Sequence, residues 1–196
     1  MGREAFIHRK TLETDISLRL NIDGSGVFKG SSGIGFLDHL LAQLVKHGLL
    51  DLELEVQGDL QVDAHHTVED LGLCLGQALD RALGDKAGIV RYGSAWVPMD
   101  EVLVQVVLDL SGRPFLASRL KFKEERLGSL DSCLIGEFLR ALANAGGITL
   151  HVRQLRGGNG HHLAEACFKA LGRALRQAVS LDPRVQGVPS TKGSLG

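Results

Sequence analysis

Cysteine is scarce in this chain: three residues in 196, Cys74, Cys133 and Cys167. They form no CxxC pair and their count is odd, which argues against a disulfide framework of the secreted type. Cys74 and Cys167 fall within apolar helical patterns and are expected in the core. Charge of one sign is lacking too, with a net charge of −1 when His is neutral. Without a basic excess to hold a phosphate backbone, nucleic acid is not an expected partner. No apolar run approaches the roughly 20 residues of a bilayer span, so no membrane partner is expected. The opening MGREAFIHRK has no apolar stretch of signal-peptide type, and Phe6 stands where a myristoylation signal wants Ser or Thr. A cytoplasmic location follows as the expectation. The GxxxxGK[ST] pattern of a P-loop is missing as well.

What is there instead is glycine, 25 residues of it, implying many tight turns or close backbone approaches. A hydrophobic content of 44% is enough to bury a core. The chain also repeats itself. HHTVEDLGLCLGQAL (65–79) and HHLAEACFKALGRAL (161–175) agree at both histidines, at the glutamate, and at a Leu, Gly, Ala and Leu. Upstream, FLDHLLAQLVKHG (36–48) and LIGEFLRALANAG (134–146) share helical apolar spacing, each expected to be ended by its glycine. Alternating strand-like runs follow, LDLELEV (50–56) and ITLHVRQL (148–155). β-Structure precedes each helix: ETDISLRLNIDGSGVFKG (13–30) carries an Asp-Gly turn signal, and 90–114 holds two strand runs about residues 98–100. The pattern predicts an internally duplicated α+β fold of α/β type. Its units are a first pseudo-repeat over 1–92, a second over 93–184 and a tail over 185–196.

Each HHxxE lies at the head of a predicted helix. Residues three and four apart share a helix face, so His65 can meet Glu69, His66 can meet Glu69 or Asp70, and His161 and His162 relate to Glu165 likewise, while adjacent histidines diverge by about 100°. Imidazole with carboxylate suits Mn²⁺, Fe²⁺ or Zn²⁺. A lone histidine at a helix start more often caps or packs, but packing does not need Glu at the same offset twice. His39 and its repeat counterpart Glu137, on the preceding helices, complete eight candidate ligands: His39, His65, His66, Glu69, Glu137, His161, His162 and Glu165. They make two pseudo-equivalent sites of about four ligands, with positions open to water or substrate. Pseudo-symmetry groups His39, His66 and Glu69 with His161, and Glu137, His162 and Glu165 with His65. For an anion, Arg91, Arg113, Lys169 and the Ser190, Thr191 and Lys192 of PSTKG supply cations and hydroxyls. Taken singly, each is more often a solvated surface group.

These residues resemble the imidazoleglycerol-phosphate dehydratase family of histidine biosynthesis over nearly the whole chain. The resemblance rests on RKTLETDI (9–16), GFLDHLLAQLVKHG (35–48), DAHHTVEDLG (63–72), RYGSAWVPMDE (91–101), DLSGRP (109–114), ITLHV (148–152), HHLAEACFKALGRAL (161–175) and PSTKG (189–193). It implies dehydration of imidazole glycerol phosphate to imidazole acetol phosphate. It also implies two Mn²⁺ per active site, a duplicated fold like the second domain of ribosomal protein S5, and a 24-mer of identical chains with sites at subunit interfaces. The eight ligands above are the ones it implies, with Glu137 standing where many relatives have a histidine in a VEHFF-like stretch; a carboxylate still binds Mn²⁺. Gly160 stands where relatives often read NDHH, which touches a contact behind the ligands. The substrate residues implied are Glu13, Gln43, His47, Arg91, Arg113, Lys169, Ser190, Thr191 and Lys192, with Glu13 as the acid/base carboxylate.

The chemistry expected from this is a metal-stabilised imidazolate that expels the side-chain hydroxyl. Glu13 then moves the proton of the neighbouring carbon, and the phosphate is held by Arg113, Lys192 and Arg91. A metal-dependent phosphohydrolase would use a similar ligand set. A non-catalytic, RNA-associated module would share only the fold.

Overall fold

The structure, a computed structural model, describes residues 2–195. Its first half forms β1 (Glu4–Lys10), β2 (Thr14–Asn21), β3 (Val27–Ser31), α1 (Gly35–Gly48), β4 (Asp51–Gly58) and α2 (His65–Leu83). The second half repeats the order with β5 (Tyr92–Met99), β6 (Val102–Asp109), β7 (Phe115–Arg119), α3 (Leu134–Ala145), β10 (Thr149–Arg156) and α4 (Gly160–Val179). A short hairpin, β8 (Arg126–Leu127) with β9 (Leu130–Asp131), is inserted before α3.

Period-two alternation makes the strands amphipathic. Ile16, Leu18 and Leu20 of β2 and Val104, Val106 and Leu108 of β6 point inward and are buried. Each such side chain contributes roughly 1.5–3 kcal/mol. Sheet one runs β1-β2-β4-β3 and sheet two β5-β6-β10-β7. In both, the final edge strand is parallel to its neighbour and the other pairings are antiparallel. The helices fill the space between the sheets: α1 and α2 pack on sheet one, α3 and α4 on sheet two. Cys74 and Cys167 are buried there as expected, and burial pushes their thiols up to about 11 and about 12.

The helix layers meet in crossed pairs, α1 on α4 and α2 on α3. Each pair takes one helix from each copy, so neither copy closes a core alone. Glycine permits the approach. A Cβ on Gly172 of α4 would lie 2.3 Å from Leu44 O and 2.9 Å from Gly48 N of α1. One on Gly76 of α2 would lie 2.7 Å from Leu142 O and 2.8 Å from Gly146 N of α3. These are corresponding positions in the two copies, so the duplication extends to the backbone contact itself.

Two local expectations need correction. Gly48 does not end α1 by a left-handed turn; it is the last helical residue, used against α4, and Leu49 takes the left-handed conformation at φ 50°. Its counterpart in the second copy is Gly147, at φ +59°. The Asp-Gly signal at 23–24 does not close a hairpin either. β4 lies between β2 and β3, and the loop crosses over it, held where Asp51 accepts the N–H groups of Ser25 (2.8 Å) and Val27 (3.0 Å).

Candidate active site

Both histidine pairs head helices whose first N–H groups are satisfied locally. Asn159 caps α4, its side chain accepting from the N–H groups of His161 (2.8 Å) and His162 (3.3 Å). Asp63 accepts from His65 N–H at 2.7 Å before α2. The paired rings diverge as helix geometry requires, with interplanar angles of 74° and 88°.

The contact of α1 with α4 gathers one cluster. His39 Nε2 and His161 Nε2 each lie 2.8 Å from the same oxygen, Glu165 Oε1, and Lys169 Nζ lies 2.6 Å from Oε2. The three ligand atoms of His39, His161 and Glu165 are within 4.8 Å of one another. Burial alone would raise the Glu165 pKa, but hydrogen bonds from Lys169, His39 and His161 outweigh it and hold the carboxyl at about 2. A carboxylate only accepts, so both imidazoles turn N–H groups toward it. A divalent cation in place of those protons satisfies all three ligand atoms, and two imidazoles with a carboxylate suit Mn²⁺ and its neighbours. Farther along the same groove α1 carries Gln43 and His47 at helical spacing, and α4 carries Lys169 and Arg173. Burial first, then Lys169 and Arg173, lowers the pKa of His47.

The corresponding cluster between α2 and α3 is not drawn together. His65 Nε2 is 4.0 Å from Glu69 Oε2, and Glu137 pairs with Arg140 on its own helix. His66 and His162 face outward to other carboxylates. His66 Nδ1 lies 2.9 Å from Asp59 and its Nε2 3.6 Å from Glu13. His162 Nδ1 lies 3.2 Å from Glu101 and 3.8 Å from Asp100. Within one chain the helices pair across the copies, so His39 meets His161, as the pseudo-symmetric grouping has it, and Glu165 joins them.

A second centre lies at the other end of the molecule. Arg91, Arg113, Ser190, Thr191 and Lys192 line one cavity of about 750 Å³ together with Tyr92. Arg91 is buried in a left-handed conformation (φ 73°) and is already engaged. It donates twice to Asp109, at 2.7 and 3.0 Å, and once to Pro189 O at 2.8 Å, which fastens the tail over the cavity. Lys192 and Arg113, the latter 3.7 Å from Asp109, are the other cations lining the cavity. Arg91 N–H also binds Ala178 O in the last turn of α4. His161 opens that helix, and a rise of 1.5 Å per residue sets the head of α4 about 26 Å from this contact, and Glu165 about 20 Å from it.

The sequence profile described as imidazoleglycerol-phosphate dehydratase matches residues 32–175. The chain belongs to the imidazoleglycerol-phosphate dehydratase family. A member from Moorella thermoacetica is 66% identical over 195 residues, covering 100% of both chains. One from Heliobacterium modesticaldum is 60% identical, covering 98% of this chain and 100% of its own. Among solved structures, the dehydratase from Staphylococcus aureus superposes with a TM-score of 0.83 at 37% identity, covering 91% of this chain and 99% of that one. The Pyrococcus furiosus enzyme gives 0.82 at 35% identity, covering 96% and 100%. Membership in this dehydratase family makes the chain a hydro-lyase of histidine biosynthesis.

Asp70, expected beside His66, and two carboxylates that no motif marked support this dehydratase-type site. Asp70, next to Glu69, accepts from Thr14 Oγ1 at 2.5 Å and pairs with Arg9 at 2.9 Å, tying the Glu13 turn to the head of α2. Its position one turn after His66 was the available signal. Glu124 explains Gly160. Its Oε1 accepts the Gly160 N–H at 3.1 Å, and a Cβ at 160 would lie 2.5 Å from its Oε2. A carboxylate from the β7–β8 loop thus stands where a side chain at 160 would go. Glu101 accepts the N–H of Asn159 at 2.6 Å; that bond, its own N–H and His162 hold its carboxyl at about 2.

Proposed function

We propose that this protein dehydrates imidazole glycerol phosphate to imidazole acetol phosphate with two Mn²⁺ per active site. The observation that carries the reading is the His39, His161 and Glu165 cluster on paired helices, in a chain of this family. His39, His65, His66, Glu69, Glu137, His161, His162 and Glu165 would hold the ions. When bound, Mn²⁺ supplies Lewis acidity toward the ring nitrogens, which favours loss of a ring proton and so makes the ring electron-rich. The hydroxyl on the ring-attached carbon departs as water, its extra proton matched by the one the ring gives up, and Glu13 takes the proton from the neighbouring carbon. The enol so formed becomes the ketone as the proton held by Glu13 passes to the ring-attached carbon and the enol O–H proton returns to the ring. Arg113, Lys192, Ser190 and Thr191 hold the phosphate, Arg91 holds the tail that carries three of them, and Gln43, His47 and Lys169 line the groove beside the ring.

Even from Glu165, the axial distance of about 20 Å along α4 to the Arg91 contact exceeds the reach of so small a substrate. The reading therefore places each active site between chains, in a closed homo-oligomer of the 24-mer kind. Among the described residues no helix is long and apolar enough to cross a membrane. The test is chelation followed by Mn²⁺ add-back, with the product assayed. A keto product with its phosphate retained, lost on chelation and regained on add-back, is expected; released inorganic phosphate instead would make the protein a phosphohydrolase.

A further inference from the structure

The strand registers give Glu13 a twin. Asp51 opens β4 and faces Asn21, while Thr149 opens β10 and faces Asp109. Eight residues back from Asn21 and from Asp109 along the antiparallel strands lie Glu13 and Glu101, at the same position of the two hairpin turns. Each reaches the second histidine of a pair, but on opposite sides of the ring. Glu13 is 3.6 Å from Nε2 of His66, whereas Glu101 is 3.2 Å from Nδ1 of His162. In the first copy the Nδ1 side is taken by Asp59, at the end of β4; the corresponding residue after β10 is Gly157, which has no side chain to offer.

We propose that Glu101 is a positioning residue, the duplicate of Glu13 turned to hold His162 with its proton on Nδ1 so that Nε2 is free to bind a metal ion. An ionised carboxylate can only accept, so Nδ1 must donate, and a neutral ring then carries its lone pair on Nε2. The other Glu101 oxygen accepts the Asn159 N–H at 2.6 Å, which sets the start of α4 through the Asn159 cap. Gly158 is part of the device. A Cβ there would lie 2.1 Å from Glu101 Oε1, so any other residue would displace the carboxylate.

The inference rests on the metal-ligand reading of His162 above, and its test separates the two. Glu101→Gln offers one acceptor where two are needed. With its oxygen on the Asn159 N–H, its amide group donates to Nδ1 and drives the ring proton to Nε2. Solid-state ¹⁵N NMR of the metal-free, histidine-labelled full chain, with the His162 signals assigned by their loss in His162→Asn, reads the tautomer directly. Wild type is expected to carry the proton on Nδ1, and Glu101→Gln on Nε2. Mn²⁺ affinity by titration should fall about 10- to 100-fold in Glu101→Gln. Gly158→Ala, which alters no polar group, should weaken Mn²⁺ in the same range. An Nε2–H wild type, or a Glu101→Gln variant that keeps the wild-type tautomer or Mn²⁺ affinity, overturns the proposal. A wild type that binds no Mn²⁺ overturns the metal reading instead, whatever the tautomer.

Discussion

A carboxylate's role depends on how many donors reach it and from which side. Glu13 is half-exposed, with one loose contact to His66 at 3.6 Å, and its turn is held by Thr11, Thr14, Arg9 and Asp70 rather than by its own side chain. A group so placed can move toward substrate and carry a proton. Glu13→Gln should therefore leave Mn²⁺ content and KM nearly unchanged while kcat falls about 10²- to 10⁴-fold; steady-state kinetics with metal analysis checks it, and unchanged kcat removes Glu13 from the reaction. Asp51 illustrates the structural case. The N–H of Ser25 first, then that of Val27, lowers its pKa below the usual 3.8. Its stabilisation is thus complete above that value and is lost as pH falls through the lowered pKa. Asp51→Asn should be less stable than wild type at pH 7, and the gap should narrow below about pH 4, as read by urea denaturation across pH.

At the scale of elements, a single backbone-to-backbone crossing positions His39. If Gly172 gains a methyl group, α1 must lift away from α4, because the atoms it meets are main-chain ones that cannot rotate aside. Gly172→Ala should cost about 1–3 kcal/mol by denaturant unfolding, and it should also weaken Mn²⁺, since His39 moves away from His161 and Glu165. Gly76→Ala should cost about the same stability while leaving the distances from His39 to His161 and Glu165 as they are. The elements themselves were legible: apolar residues at helical spacing marked all four helices, and alternation marked the strands that carry the core. Their partners were not. Gly48 reads as a helix stop and Asp23-Gly24 as a hairpin turn until the strand order and the α1–α4 contact are known, because both signals describe local backbone and say nothing of what it packs against. Glu101 was missed for the same reason. It sits in no HHxxE motif, and only the paired registers of the two sheets set it opposite Glu13.

For the whole molecule, the duplication produced two histidine pairs, but only the α1–α4 groove also carries Gln43, His47 and Lys169. At the corresponding positions the α2–α3 groove has Ala141, Ala145 and Leu73. The copies have diverged so that one groove carries polar groups, while the cavity lined by Arg91, Arg113 and Lys192 stands near the far end of α4. If each active site joins the groove of one chain to the tail cavity of another, the two functions can be restored by mixing defective chains. His161→Asn and Lys192→Ala should each be inactive alone. Co-expressed in equal amounts, they should recover about a quarter of wild-type activity, since each site draws its His161 and its Lys192 independently and each is intact about half the time. Sites contained within one chain recover nothing, because every chain then carries a defect. Activity in the mixed oligomer, measured per chain and set against each variant alone, decides between the two arrangements.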